Sequence, residues 1–331
     1  MLSIIIVNYR TPQLLVDCIQ SVYDTTTSIE FEVIVVDNDS RDDSHTRVTS
    51  RFPSVRWISL NENAGFARAN NRGMEKANGN TYLLLNSDTV VTGDSIAGPY
   101  LLLNGSDYIA CGVQLVNKDG SAQISGSKFM AGAVNNLLPL PYVGAFIRSI
   151  GLLAGVKKPH APESGTAVEV DWINGAYLMV KKSVVQQAGK MDEDFFLYAE
   201  EAEWCHRLGK FGKLVIYGQF KVIHLQGESS KTAFTSDTSG YNNLYDSKGF
   251  QIMLSNFVRI RKQLGNEWFL IHLLTYTFTI PVFFLAALFK WIVGSQRGDL
   301  GKASAFSKNV FRLWSYARKV MSNRPYFYKA L

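Results

Sequence analysis

Residues 81–88 read TYLLLNSD, five strand-forming residues running straight into three short polar ones. A run with no polar alternation is the pattern of a strand covered on both faces, as in parallel sheets. The same signature lies upstream. LSIIIVN at 2–8 and FEVIVV at 31–36 are near-continuous apolar, largely β-branched runs, and a third strand is expected at 55–60. A helix is expected from Pro12, because Leu14, Leu15, Cys18, Ile19 and Val22 recur at three- and four-residue spacings and proline suits a helix's first turn. A second helix is expected over about 65–77. Strand, helix, strand, strand, helix, strand predicts an α/β fold with a Rossmann-like, mostly parallel central sheet and right-handed crossovers.

In open α/β sheets ligands bind beyond the carboxyl ends of the strands. Three polar clusters occupy those ends: Asn8-Tyr9-Arg10, Asp37-Asn38-Asp39 and Asn86-Ser87-Asp88. One such cluster is only a turn. Three converging on one edge point to a site.

The second half is less regular. An apolar stretch at 137–156 is broken by Pro139, Pro141 and Gly144, too interrupted for a membrane-spanning helix. Strand character returns at 168–180 and in two runs within 213–224, with a helix expected over 195–208. A polar loop at 226–243 leads into helical, apolar sequence. No internal repeat or low-complexity tract is visible.

The 331 residues are 47% hydrophobic, enough for a large core, and carry a formal net charge of +6. That charge is local: 290–331 holds nine Lys and Arg against Asp299, so the remaining 289 residues sum to −2. A basic tail on a near-neutral body argues against a nucleic-acid-binding core. Cys18, Cys111 and Cys205 have no metal-ligand spacing, and the sequence opens on a strand-like run instead of a signal peptide, so a reduced cytosolic compartment is expected. Residues 268–289 are long enough to cross a bilayer. Against a simple span, His272, Thr275, Tyr276 and Thr279 line one helical face, Pro281 interrupts it, and spanning would export the +8 tail. Phe306, Val310, Leu313, Trp314, Ala317 and Val320 form an apolar face opposite Lys308, Arg312 and Lys319. That pattern suits an anionic membrane surface, or docking within the protein or a homodimer.

Asn86-x-Asp88 offers two short oxygen-bearing side chains at a strand end, the hard ligands a divalent cation needs. Taken alone, the same tripeptide reads as a turn. YAEEAEWCHR at 198–207 places Glu200, Glu201 and Glu203 within four residues, acids that suit a helix start and that raise one another's pKa if clustered in a cleft.

Seven segments in order resemble glycosyltransferase family 2 and its rhamnosyltransferase-like branch, over residues 2 to about 229. They are IIIVNYR (4–10), VIVVDNDSRD (33–42), NENAGFARANNRG (61–73), YLLLNSD (82–88), WINGAYLMV (172–180), GKMDEDFFLYAEEAEWCHRL (189–208) and HLQGES (224–229). The resemblance implies a GT-A catalytic domain over 1–230, its nucleotide-sugar half at 1–100 and its acceptor half at 101–230, followed by a helical, basic, membrane-associating region at 231–331. It implies an inverting transfer of a sugar, rhamnose from dTDP-rhamnose, to a polyprenyl-diphosphate-linked saccharide in surface polysaccharide synthesis, at the cytoplasmic face of the membrane through peripheral or re-entrant attachment. Asn8, Tyr9 and Asp37 would contact the nucleobase and ribose, with Asn63, Gly65, Arg68, Asn86, Ser87 and Asp88 completing the donor side. Asp88, His224 and Asn86 would hold Mg2+ or Mn2+; Asn86 stands where the family often has Asp. Glu201 would be the base, one methylene longer than the family's usual Asp, and Trp172, Gly175, Asp192 and Glu200 would shape the acceptor side. Transfer directly to polyprenyl phosphate, and a catalytically silent membrane scaffold, are the alternatives.

Overall fold

The computed structural model describes residues 1–128, 133–153, 155, 167–225, 243–294 and 299–330; the 226–229 loop after His224 lies outside them. By internal contacts the described residues form two units. One comprises 1–128, 167–196 and 200–225. The other comprises 133–153, 155, 197–199, 243–294 and 299–330.

The first unit begins β1 (Leu2–Asn8), α1 (Pro12–Thr25), β2 (Phe31–Asp37), α2 (Ser44–Arg51), β3 (Arg56–Ser59), α3 (Gly65–Lys76) and β4 (Thr81–Asn86). It continues through β5 (Thr89–Val91), α4 (Ala97–Asn104), β6 (Ala110–Val116) and β7 (Gly126–Ser127), then resumes with β8 (Ala167–Val170), β9 (Trp172–Ile173), β10 (Tyr177–Lys181), α6 (Lys182–Ala188), α7 (Glu200–Leu208) and β11 (Leu214–His224). The main sheet has the order β3-β2-β1-β4-β10-β6-β11-β5, with β8 also on β11. Strands β3, β2, β1, β4, β6 and β11 run one way, and β10, β5 and β8 run the other. The expected α/β fold with a mostly parallel sheet is what forms.

The unbroken apolar runs have the cause inferred from them: helices cover both faces. Ile4 and Ile6 pack with Leu15, Ile19 and Val22 of α1, Val48 of α2 and Leu103 of α4. Ile5 points the other way, onto Ala67 and Met74 of α3 and the Trp204 layer of α7. Each such isoleucine, fully buried, contributes roughly 1.5–3 kcal/mol. Helix α2 escaped the periodicity reading because SHTRVTSR holds one apolar residue, Val48, which alone reaches the core. The strand character at 168–180 breaks into β8, β9 and β10 around Asn174, whose Oδ1 accepts from the amide of Ala176 at 3.0 Å. The two runs within 213–224 are one strand, irregular between Tyr217 and Lys221.

The second unit holds α5 (Val143–Leu153), α8 (Ser247–Ile292) and α9 (Asp299–Ser322). Asp246 caps α8, its Oδ1 accepting from Gly249 N at 2.8 Å. Gly265, at φ +91°, breaks α8 into two arms, while Pro281 is accommodated in the second. The helix is long and apolar enough to cross a membrane by length and composition. The tail face expected to meet a membrane is packed instead. Phe306, Val310, Leu313, Ala317 and Val320 are buried, Phe306 lies 6.2 and 6.0 Å from the rings of Tyr276 and Phe283, and Trp314 donates to Thr277 Oγ1 at 2.9 Å. The exposed apolar stripe belongs to α8, through Leu274, Phe278, Leu285, Phe289 and Ile292.

Candidate active site at the sheet edge

Strand register gathers the polar clusters. Asn8 stands opposite Asp37, Val7 opposite Asn86, Leu85 opposite Tyr177 and Thr89 opposite His224. Because β10 runs antiparallel to β4, its beginning lies beside the end of β4, where the amide of Asn86 donates to Ala176 O at 3.0 Å. One edge therefore carries residues from six strands.

The donor-side cluster is a closed network. Asn8 is fully buried and donates through Nδ2 to Asp37 Oδ1 (2.8 Å) and Ser40 Oγ (3.0 Å), while its Oδ1 accepts from Thr11. Ser40 in turn receives Arg10 N and gives its own N–H to Asp37 Oδ2. Thr11 bonds Ser87 at 3.1 Å. Asn8's Nδ2 and Oδ1 are both engaged and hold Asp37, which like Tyr9 stays partly exposed. Arg10, Asp39 and Arg41 adopt left-handed backbone here, strain that a tightly bonded edge holds in place.

The 61–65 loop is fastened to the end of β2. Asn38 Nδ2 donates to Asn63 Oδ1 at 2.9 Å and Asn38 Oδ1 accepts from Ala64 N. Gly65 N donates to Asn63 Oδ1, and Phe66 N to Phe196 O at 2.9 Å. These amides at the start of α3 thus have internal partners. Gly65 is required for another reason: at φ +78°, a Cβ would lie 2.1 Å from Phe196 O. Arg68 reaches Glu193 O, and Asp192 Oδ1 accepts from Asp194 N, both on the loop before α7. Trp172 packs in the core on the α3 face of the sheet, its indole N–H buried without a hydrogen-bond partner.

Asp88 is 2% exposed, and its Oδ1 has no hydrogen-bond partner among the described residues. It lies 3.4 Å from His224 Nε2. Leu225 N donates to Asp88 O at 2.8 Å, tying the two strand ends together. Two ligands each about 2.1 Å from one small cation lie roughly 3.0–3.4 Å apart. The pair fits a divalent ion, with the partly exposed Asn86 two residues away. No group of three or more His, Cys, Asp and Glu that could hold a metal ion occurs among the described residues, so the further ligands those residues can offer are amides, with water or the substrate itself beside them.

The three glutamates of α7 separate. Glu203 accepts three hydrogen bonds from Arg207, at 2.7–3.0 Å, and Arg207 also caps Ala188 O and Lys190 O. Glu200 is 3% exposed with Oε2 unpartnered; burial, then the charge of Glu201, pushes its carboxyl well above the usual range. Glu201 lies against Gly175, where a Cβ would meet its Cβ at 3.5 Å. Burial pushes the thiols of Cys18 and Cys205 up to about 12, which leaves them unreactive.

Residues 3–152 match the model of glycosyl transferase family 2. Those residues are a family 2 domain. The chain is 30% identical over 227 residues to the low-salt glycan biosynthesis hexosyltransferase Agl10 of Haloferax volcanii, covering 67% of this chain. It spans 65% of that relative's length. It is 26% identical to the N-acetylglucosaminyl-diphospho-decaprenol L-rhamnosyltransferase of Mycobacterium tuberculosis, over 60% of this chain and 67% of the relative. Its fold is similar to that of the mannosyltransferase PcManGT from Pyrobaculum calidifontis, with a TM-score of 0.50, 13% identity, and 98% and 87% of the two chains covered. The architecture of the chain is GT-A-like.

Several residues of the edge carried no sequence signal of a role. Asn38 and Ser40 sat inside the DNDS turn, where their part in bonding could not be separated from turn formation. Thr11 and Gln123 belonged to no recognised pattern, and Asn174 lay within WINGAYLMV with no role assigned to it; only the fold brings them to the edge.

Proposed function

We propose that the chain is an inverting, divalent-cation-dependent glycosyltransferase that moves rhamnose from dTDP-rhamnose to a saccharide carried on a polyprenyl diphosphate. The observation that carries this reading is the unpartnered, buried Asp88 Oδ1 facing His224 Nε2 on the sheet edge that also bears Asp37 and Gly175. Asp88 and His224 hold the ion, with Asn86 bound directly or through water. When bound, Mg2+ or Mn2+ supplies positive charge against the departing diphosphate.

Tyr9 and Asp37, aimed by Asn8, take the base and ribose; Asn63, Gly65, Arg68 and Ser87 shape the rest of the donor side. Glu201 takes the acceptor hydroxyl's proton as that oxygen bonds to the anomeric carbon and the sugar–phosphate bond breaks on the opposite face. Its neighbours support that assignment, since Glu203 is held by Arg207 and burial pushes the carboxyl of Glu200 well above the usual range. Gly175 leaves room over Glu201, while Trp172, Asp192 and Glu200 shape the acceptor side. The rhamnose and lipid-diphosphate assignments draw on the mycobacterial relative's name.

Residues 1–230 form the catalytic domain in this reading. Residues 231–331 hold it at the cytoplasmic membrane face through the exposed stripe of α8. A thermal-shift screen of nucleotide sugars with and without Mn2+ tests the whole. One donor should raise the melting temperature only with the cation, and Asp88→Ala should abolish both that shift and transfer. Full transfer by Asp88→Ala overturns the metal assignment.

A further inference from the structure

Gln123 stands outside every motif of the family resemblance, in the turn that follows β6, yet it grips His224 at two points. Its Oε1 lies 2.9 Å from His224 Nδ1, and its Nε2 donates to His224 O at 2.7 Å and to Asn117 Oδ1 at 2.7 Å. The backbone carbonyl decides which end of the amide is which. A carbonyl oxygen only accepts, so the atom 2.7 Å from it must be the NH2 end, and the atom facing Nδ1 must be the carbonyl oxygen. That oxygen has no proton to give. His224 Nδ1 must therefore carry the hydrogen, and in the neutral ring the lone pair is left on Nε2, the atom 3.4 Å from Asp88 Oδ1.

Two bare acceptors facing each other in a buried site repel unless a cation lies between them. The hydrogen bond to Gln123 is what selects that arrangement, since without it the ring can place its proton on Nε2 and close onto Asp88 instead. We infer that Gln123 is a positioning residue that locks His224 into the Nδ1–H tautomer and so makes it a ligand for a divalent cation shared with Asp88. The inference rests on the cation assignment above and adds to it the residue that enables it. Asn117 serves as an internal comparison. It accepts from the same amide nitrogen and is itself bonded to Ser121, but among the described residues it makes no hydrogen bond to His224 or Asp88.

The test is Mn2+ affinity of the full chain, read from the electron paramagnetic resonance signal of free Mn2+ without any sugar donor. Gln123→Leu should weaken binding about 10- to 100-fold, the usual cost of removing such an outer partner, and His224→Ala at least as much. Gln123→Glu keeps an acceptor for Nδ1–H and should recover most of the affinity, whereas Asn117→Ala should leave it near wild type. A folded Gln123→Leu with wild-type affinity, or an Asn117→Ala as weak as Gln123→Leu, overturns the inference while the Asp88–His224 site stands. Wild-type affinity in His224→Ala overturns both. Should Gln123→Leu fail to fold, 15N shifts of His224 in the metal-free wild-type chain decide: an Nδ1–H resonance supports the lock, and an Nε2–H resonance overturns it.

Discussion

Glu200, Glu201 and Glu203 sit within four residues and meet three different environments, a distinction invisible in the string YAEEAEW. Each makes its own prediction. Glu201→Gln should cut turnover by about 10²- to 10⁴-fold, the usual worth of a positioned base, with cation-dependent donor binding retained in a thermal-shift assay. Glu203→Gln should instead cost about 2 kcal/mol of stability in urea unfolding, because it weakens the ionic grip on Arg207. A dead but stable Glu203→Gln would move the base to that position. For Glu200 the sign follows from protons. Its carboxyl remains protonated in the fold above the ordinary value of 4.5, so over that range the folded chain binds more protons than the unfolded one, and stability falls as pH rises. Glu200→Gln removes that loss. Its melting temperature should exceed wild type at pH 7–8, and the gap should close toward pH 4; a gap independent of pH would contradict buried neutrality. At this scale residue type and spacing were readable, Asp88 and His224 included. Burial and pairing were not, because they depend on side chains far apart in sequence, as with Gln123 and His224.

Elements were more legible where a single period dominates. Strands β1, β2 and β4 and helix α1 stand where apolar spacing put them, since both faces of the sheet are covered and every residue must comply. Where one buried side chain suffices, as Val48 does for α2, no period exists to be read. The joint between α3 and the loop before α7 was also hidden, because Gly65 reads as an ordinary helix-start glycine. Gly65→Ala should cost about 3 kcal/mol or more in urea unfolding, from the collision with Phe196 O and the left-handed backbone together. Gly175→Ala makes the opposite case. Its new methyl meets Glu201 at ordinary contact distance, so the melting temperature should barely move while kcat falls through displacement of the base. Equal losses of stability and turnover there would argue that Gly175 only supports the fold.

At the scale of the molecule, the amphipathic tail illustrates how composition can mislead about location. The spacing of its apolar residues was legible; their partner was not, because it is the Tyr276 and Phe283 face of α8, a separate helix earlier in the chain. Membrane attachment is therefore best tested on the exposed stripe. Phe278→Glu with Leu285→Glu should leave the melting temperature near wild type and release the protein from anionic vesicles in flotation. Retention on vesicles would show that the stripe does another task. Removing 299–331 is the poorer experiment, since it uncovers Tyr276 and Phe283. A last consequence concerns Gly65 and Phe196. Their backbones meet so closely that the start of α3 and the segment before α7 form one fitted joint, and neither side can be remodelled alone. A chimera that imports residues 1–100 from a relative with another donor should fail unless segment 189–196 travels with it, which makes that short loop the practical unit of exchange when donor specificity is re-engineered.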